Sequence, residues 1–356
     1  MARKHAILSA SSAARWIACP PSARLNAEQS DTPSEYAAQG TDAHTLCEYK
    51  LRKALGERVR DPTKKLSSYD SEMEECADFY AQFVMGLVSQ FREESKDTMV
   101  SVEQRVDFSD FVPDGFGTAD TLIISGKTVC IVDYKHGKGI EVSAERNPQM
   151  MCYALGCIQM FDGLYDIESI WMIIFQPRLS NISEYTISKA DLLTWAQDTL
   201  VPAAKLAHAG EGTFCAGAHC QFCRIKATCR KRAEYNLELA RYDFEMPPTL
   251  EDAEVEAILA KADTLAAWVS DIKEYTPQRW TGIQKDSLID GHIRQYREVL
   301  LPQQRTDRES YICCVSLLRQ ASGADTKEKP TTAQREHILI DIRREGINPK
   351  TKTPNP

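Results

Sequence analysis

The sequence predicts a mixed α/β fold in which helices flank a small central sheet. Three observations carry this. Residues 118–135 (TADTLIISGKTVCIVDYK) form two apolar runs joined by Ser125-Gly126-Lys127-Thr128, the pattern of a β-hairpin. The near-continuous apolar run SIWMIIFQPR (169–178) reads as a buried strand. Segments on either side repeat apolar residues at helical spacing, and helices interleaved with strands imply layered packing.

In chain order, SASSAARWIACPPSARL predicts a short helix from about Ser11 to Ala18, with Ser9 or Ser11 as its cap. Cys19-Pro20-Pro21 stops it, because proline cannot continue a helix. QGTDAHTLCEYKLRKALG predicts a second helix starting near Thr41 or Asp42 and ending at Gly56. A third covers about 70–95, with Cys76, Phe79, Tyr80, Phe83, Val84 and Leu87 as a core stripe. VSVEQRVDF alternates as a strand, and its Glu103 is either a further acidic ligand or, as expected, part of a solvated strand face. After the hairpin comes a Gly-containing loop with Lys138 exposed, then the helix NPQMMCYALGCIQMF with Pro148 in its first turn. SEYTIS reads as an edge strand, 189–209 as a helix and 233–276 as helical in pattern. Beyond Pro277 the periodicity fades, and 277–356 is expected to be a loosely ordered tail.

The length of 356 residues suits two domains, or one with a substantial appendage. Hydrophobic content of 43% and charged content of 26% are those of an ordinary globular chain, and no apolar run is long enough to span a membrane. The opening MARKHAILSASSAARW lacks the apolar core of an export signal, so a cytoplasmic location is expected. In that compartment the twelve cysteines are free thiols or metal ligands, not a disulfide framework. The net charge of −8 argues against a general nucleic-acid binder, but it is uneven. Residues 277–356 carry 14 Lys/Arg and 10 Asp/Glu, which leaves 29 against 41 in the rest.

Two constellations carry chemistry. Asp133 and Lys135 project to one side of their strand, with Asp120 on the preceding one, and buried charges of this kind must be paired or hold a metal. A surface Asp–Lys pair is the plain alternative. His44 and Glu48 share a helix face, either as an exposed pair or with His44 aimed at the hairpin. Gln149 and Tyr153 share a face in the same way. The second constellation is Cys220-x2-Cys223-x5-Cys229, whose thiolates could wrap zinc or an iron–sulfur cluster, with Cys215, His219 or the distant Cys19 as fourth ligand. Arg224, Lys226, Arg230, Lys231 and Arg232 crowd that segment as a solvated charge run or a phosphate-contacting patch.

The ordered set GTAD, IVDYK and NPQMMCYA, with a histidine helix upstream, resembles the core of the PD-(D/E)XK nuclease superfamily in its RecB-like branch. Similar proteins include CRISPR adaptation exonucleases, bacterial DNA-end-processing nucleases and uncharacterised phage or prophage nucleases. The resemblance spans roughly 7–275. It implies a restriction-endonuclease-like core with a cysteine-ligated cluster subdomain: residues 1–40 would give one cluster cysteine, 41–210 the nuclease core, and 211–276 the cysteine segment and last helices. It further implies Asp120, Asp133 and His44 as ligands of Mg²⁺ or Mn²⁺, Lys135 as the catalytic lysine, and Gln149 and Tyr153 as its supporting motif. Cys19, Cys220, Cys223 and Cys229 would hold a 4Fe-4S cluster, and Lys138 with the five basic residues would touch DNA. Asp133 stands where many relatives have Glu, and the tail matches nothing in the pattern.

The function expected from this is a metal-dependent deoxyribonuclease, of exonuclease type, in phage recombination, replication or end processing. Its partner would be DNA with ends, assisted by a single-strand-binding protein or helicase, in a bacterial or phage-infected cell. His44 makes the site softer than an all-oxygen one, which favours Mn²⁺. Two other classes compete: a catalytically weak DNA-binding or assembly protein on the same scaffold, and a zinc-ribbon module attached to an unrelated α/β domain.

Overall fold

The computed structural model describes residues 6–29, 35–238 and 251–280, with side chains as far as residue 275. Helix α1 (Ala13–Ala18) follows a 3-10 turn at Ala10–Ser12 and gives way at Cys19 and Pro20 to α2 (Ser22–Ala27). Trp16, fully buried, ties this start down through its indole N–H, which donates to Ser9 O at 3.1 Å.

Helix α3 (Glu35–Ala54) begins six residues before the expected start. The cap-type residues Thr41 and Asp42 serve elsewhere: Thr41 Oγ1 donates to Ala37 O, and Asp42 Oδ2 accepts from Ser67 Oγ and Ser68 N. Helix α4 (Ser71–Glu94) starts as its sequence indicates, with Asp70 accepting from Met73 N at 2.7 Å.

Five strands follow: β1 (Met99–Asp107), β2 (Phe116–Ser125), β3 (Thr128–Tyr134), then α5 (Pro148–Tyr165), β4 (Ser169–Gln176) and β5 (Asn181–Ser188). They form one sheet in the order β1-β2-β3-β4-β5. Only β3 and β4 pair in parallel, across the α5 crossover, and the other pairs are antiparallel.

Each face of the sheet is buried by its own layer. On one side Val106, Leu122, Ile131 and Met172 meet α1 and α5 through Trp16, Met150 and Leu155. On the other, Ile123, Val132, Tyr134 and Ile173 meet α3 and α4 through Leu46, Leu51, Tyr80 and Val84. The fold is mixed α/β, with a five-stranded sheet between helical layers.

The helix expected at 189–209 is α6 (Lys189–Trp195) and α7 (Val201–Ala209), joined by a π turn at Ala196–Leu200. Pro202 has no N–H to continue the α ladder there, which accounts for the widened turn. The last elements are α8 (Arg230–Leu237) and α9 (Asp252–Trp280). Residues Met1–Thr276 form one compact unit. The expectation of a loose tail falls, past the end of α9, outside the described residues. Among the described residues no helix is long and apolar enough to cross a membrane.

Candidate functional site

Three carboxylates lie in one row across the sheet. Val102 pairs with Thr121 and Gln104 with Ala119, so Glu103 stands opposite Asp120. Thr121 pairs with Val132, so the next position on β3 is Asp133. At this row the regular ladder breaks. Glu103 takes a left-handed backbone (φ 51°), uncommon for a non-glycine in a strand. Arg52 on α3 braces the bend by donating Nη2 to Val102 O at 2.8 Å. Asp120 Oδ2 accepts the N–H of Tyr134 at 2.7 Å, a side chain doing the work of a ladder carbonyl.

The bend lets the row reach both faces. On the α3 side, His44 Nδ1 lies 3.2 Å from Asp120 Oδ1, its ring edge-on to Tyr134. On the α5 side, Asp133 and Lys135 meet the first turn of α5. Asn147 caps that turn by accepting from Gln149 N and Met150 N, and Pro148 has no N–H to waste there. Lys135 Nζ is 2.7 Å from Asp133 Oδ2 and donates to Gln149 Oε1 at 3.0 Å. Gln149 Nε2 donates onward to Asp133 Oδ1 (3.2 Å) and Tyr153 OH (3.0 Å). The Tyr153 ring lies against β2 where Gly117 leaves room: a Cβ there would sit 2.7 Å from the ring. Asp133 is 2% exposed, and its Oδ2 has the lysine charge beside it but no well-aligned hydrogen bond.

The electrostatics follow from this crowding. Burial opposes a charge on His44, but Asp120 overrides it and raises the imidazole pKa to about 9. Burial, then the Asp120 charge, raises Glu103 to about 7. Burial also pushes Asp133 upward. For Asp120 burial is outweighed by His44, Lys135 and the Tyr134 N–H, which hold its carboxyl below the usual range. Lys135 is held above the ordinary lysine value because Asp133 outweighs its burial.

His44, Glu103 and Asp120 each offer one donor atom, and the three atoms lie within 4.8 Å of one another. The expectation of a solvated strand face for Glu103 is corrected: the residue is half-buried and turned to the histidine. Only its positive-φ backbone, invisible in the sequence, brings it there. Of the expected set, His44 and Asp120 converge with Glu103, while Asp133 holds Lys135 and Gln149 next to them, close enough for the charges of His44, Asp120, Asp133 and Lys135 to act on one another. Glu48, four residues from His44, pairs with Arg52 instead.

The cysteine residues meet in a second place. Cys19, Cys220, Cys223 and Cys229 line one pocket together with Arg15, Cys215, His219 and Arg232. Cys19, Cys220 and Cys223 are buried. Two sulfurs accept hydrogen bonds: Asn26 Nδ2 donates to Cys223 Sγ at 3.2 Å and Cys215 N to Cys19 Sγ at 3.5 Å. Arg15 Nη1 reaches Ser22 O and Oγ, which fixes a buried guanidinium at the pocket wall. His219 Nε2 is engaged by Cys215 O at 3.0 Å, and the Cys215 thiol is exposed.

The profile of a family described as a protein of unknown function, DUF2800, matches residues 5–297, well over half of the chain. The chain belongs to the DUF2800 family. It is also similar to a solved structure described as the crystal structure of SSO0001, at 18% identity over 54% of this chain and 98% of that one. The TM-score of 0.25 is too low for that likeness to bear on the site.

In this DUF2800 protein most of the basic residues expected on a DNA face are engaged within the fold. Arg232 is 5% exposed and, like Lys226, pairs with Asp271. Arg224 Nη1 donates to Asn26 O and Gln29 O, tying the cysteine segment to α2. Lys231 pairs with Glu234, and Lys138 shares Glu72 with Arg178. Arg230 is exposed.

Proposed function

We propose that this protein is a metal-dependent nuclease that hydrolyses phosphodiesters of DNA. The observation that carries the reading is the convergence of His44, Glu103 and Asp120 beside a Lys135 held between Asp133 and Gln149. The donor set fits the metal: one imidazole nitrogen and two carboxylates suit Mn²⁺ or Mg²⁺, and the bent backbone at Glu103 turns the third donor toward the other two. A divalent cation held there would supply Lewis acidity at a phosphoryl oxygen and lower the pKa of an attacking water. The chain's own part is positional and electrostatic. Lys135 stays protonated through its buried partner, and Gln149 fixes the direction in which Nζ can donate. An ammonium so fixed can neutralise charge that grows on a phosphoryl oxygen, without having to reorganise during the step. Tyr153 keeps Gln149 in place, packed in turn over Gly117.

The finer reading follows the PD-(D/E)XK, RecB-like resemblance: an exonuclease acting on DNA ends in a phage or prophage setting, in the cytoplasm, with a helicase or single-strand-binding partner. In the same reading Cys19, Cys220, Cys223 and Cys229 hold a 4Fe-4S cluster. Four cysteines lining one pocket, one of them from the far N-terminal segment, are what supports this reading, with zinc as the alternative occupant of the same thiolates. The N–H donors to Cys223 and Cys19 are of the kind that tune the sulfurs of a bound cluster.

The test is an anaerobic assay on linear and circular DNA with Mn²⁺ and Mg²⁺, run with Asp133→Ala and Lys135→Ala. Cleavage lost in both variants supports the reading; full activity in either removes it. The competing reading is a catalytically weak DNA-binding or assembly protein on the same scaffold. It would show as DNA binding with no turnover at either metal. A colourless, zinc-loaded protein would replace the cluster with a zinc site.

A further inference from the structure

Residues 103–107 of β1 and 116–120 of β2 continue past the end of β3, because the β2–β3 pairing stops at Thr121 and Val132. This two-stranded ribbon has one covered face. Val106, Gly117 and Ala119 point to α5, where Gly117 lies under Tyr153 and Val106 under Gly156. By strand alternation Arg105, Asp107, Phe116 and Thr118 point the other way, to the His44 side. The helices α3 and α4 do not extend over them: Arg105, Asp107 and Thr118 are exposed and Phe116 is partly so.

Arg105 differs from the other cations near the site. Lys135 is committed to Asp133, Lys138 and Arg178 to Glu72, and Arg52 to Glu48 and Glu57. Arg105 makes no ion pair among the described residues. Its guanidinium carbon lies 3.8 Å from the centroid of the Phe116 ring, so the fork is held over an aromatic face, and the residue is exposed. Asp107, on the same face, accepts Ser109 N, and the Arg105 charge acts on it without closing an ion pair among the described residues. Along β1, Arg105 stands two residues from Glu103, about 7 Å at strand rise. That span is comparable to the spacing of neighbouring phosphates on a nucleic-acid strand.

We infer that the open face of this ribbon is the bed for the substrate strand, and that Arg105, braced by Phe116, binds the phosphate next to the one that meets His44, Glu103 and Asp120. The inference rests on the nuclease reading and adds the direction in which the strand leaves the site. It also places a DNA contact where the sequence indicated none, away from the cysteine segment. A planar guanidinium suits a phosphate because it donates two parallel N–H bonds. Arg105 is therefore a binding and positioning residue; it does not touch the reacting atoms.

The experiment is fluorescence anisotropy of the full chain with fluorescein-labelled single-stranded and duplex oligonucleotides, with Ca²⁺ present and salt varied, beside Mn²⁺ cleavage of the same strands. Arg105→Ala should weaken binding about tenfold and reduce the slope of log K against log salt by about one phosphate contact. Arg105→Lys should restore most of that slope but not the affinity. Phe116→Leu should weaken binding several-fold and leave the slope unchanged, a split that loss of fold would not give. Thr118→Glu, a change at an exposed position, should weaken binding on electrostatic grounds alone, and equal melting temperatures would verify that all variants fold. Wild-type slope and affinity in both Arg105→Ala and Thr118→Glu would overturn this inference while leaving the nuclease reading standing. A wild-type protein that neither binds nor cuts DNA would overturn both.

Discussion

Lys135→Met tests whether the lysine is a structural partner of Asp133 as well as a catalytic group. The substitution keeps the aliphatic stem and removes the ammonium 2.7 Å from a carboxylate that is 2% exposed. The gross attraction at that distance is about 6 kcal/mol with an effective dielectric near 20. Removing one partner of a buried pair costs about 3–5 kcal/mol, because the remaining charge has nowhere to go. In a chain of this size that is a fall in melting temperature of roughly 4–8 °C. Asp133 can relieve the cost by taking a proton, since burial already holds its pKa up. A carboxyl with a raised folded pKa stabilises most at low pH and loses that contribution as pH rises through the raised value. The penalty for Lys135→Met should therefore be largest near about pH 8 and much reduced near about pH 5. The assay is urea denaturation of the metal-free protein under anaerobic conditions at both values. A loss below about 1 kcal/mol, or the same loss at both pH values, would show that water reaches the pair and would refute the reasoning.

Three further outcomes follow from the geometry. Glu103→Gln should weaken Mn²⁺ binding tenfold or more by calorimetry while leaving the fold intact; unchanged affinity would move the metal to Asp120 and Asp133 alone. Because His44 sits at about 9 and Glu103 at about 7 without metal, Mn²⁺ affinity should climb with pH across that range and its binding should release protons, measurable in buffers of different ionisation heat. Gly117→Ala places a methyl 2.7 Å from the Tyr153 ring and should cost about 1–3 kcal/mol in urea, with activity falling further than Tyr153→Phe alone.

The sheet and its two helical layers were legible because their residues follow simple periods. The hairpin, the 169–176 strand and the capped helices α4 and α5 each carry their own local signal. His44, Asp120, Asp133, Lys135, Gln149 and Tyr153 were legible as an ordered set, and the structure brings them together along one strand row. Glu103 was not. Nothing in VSVEQRVDF marks the residue that must take a positive φ, because that bend is decided by Arg52 on a distant helix and by the unpaired row itself. The start of α3 was misplaced for a related reason: Thr41 and Asp42 are cap-type residues, and only tertiary contacts show that neither one caps. The basic cysteine segment misled in the opposite direction, since local charge density could not reveal Asp271, some forty residues away, as its partner.

Asp120 is the residue through which these pieces act together. One oxygen accepts from Tyr134 N, the other faces His44, and its register neighbours are Glu103 and Asp133. An ordinary β2–β3 ladder would satisfy Tyr134 N with a backbone carbonyl and leave the carboxylate to point along one face. Instead the side chain replaces the ladder bond, which fixes one carboxylate oxygen at Tyr134 N and leaves the other to His44. In register it stands between Glu103 on one neighbour and Asp133, the partner of Lys135, on the other. Such a site needs the strands to stop pairing at this row and not elsewhere. That same stop frees the ribbon beyond it, so the arrangement that assembles the donors also leaves an uncovered sheet face beside them for a strand to lie on.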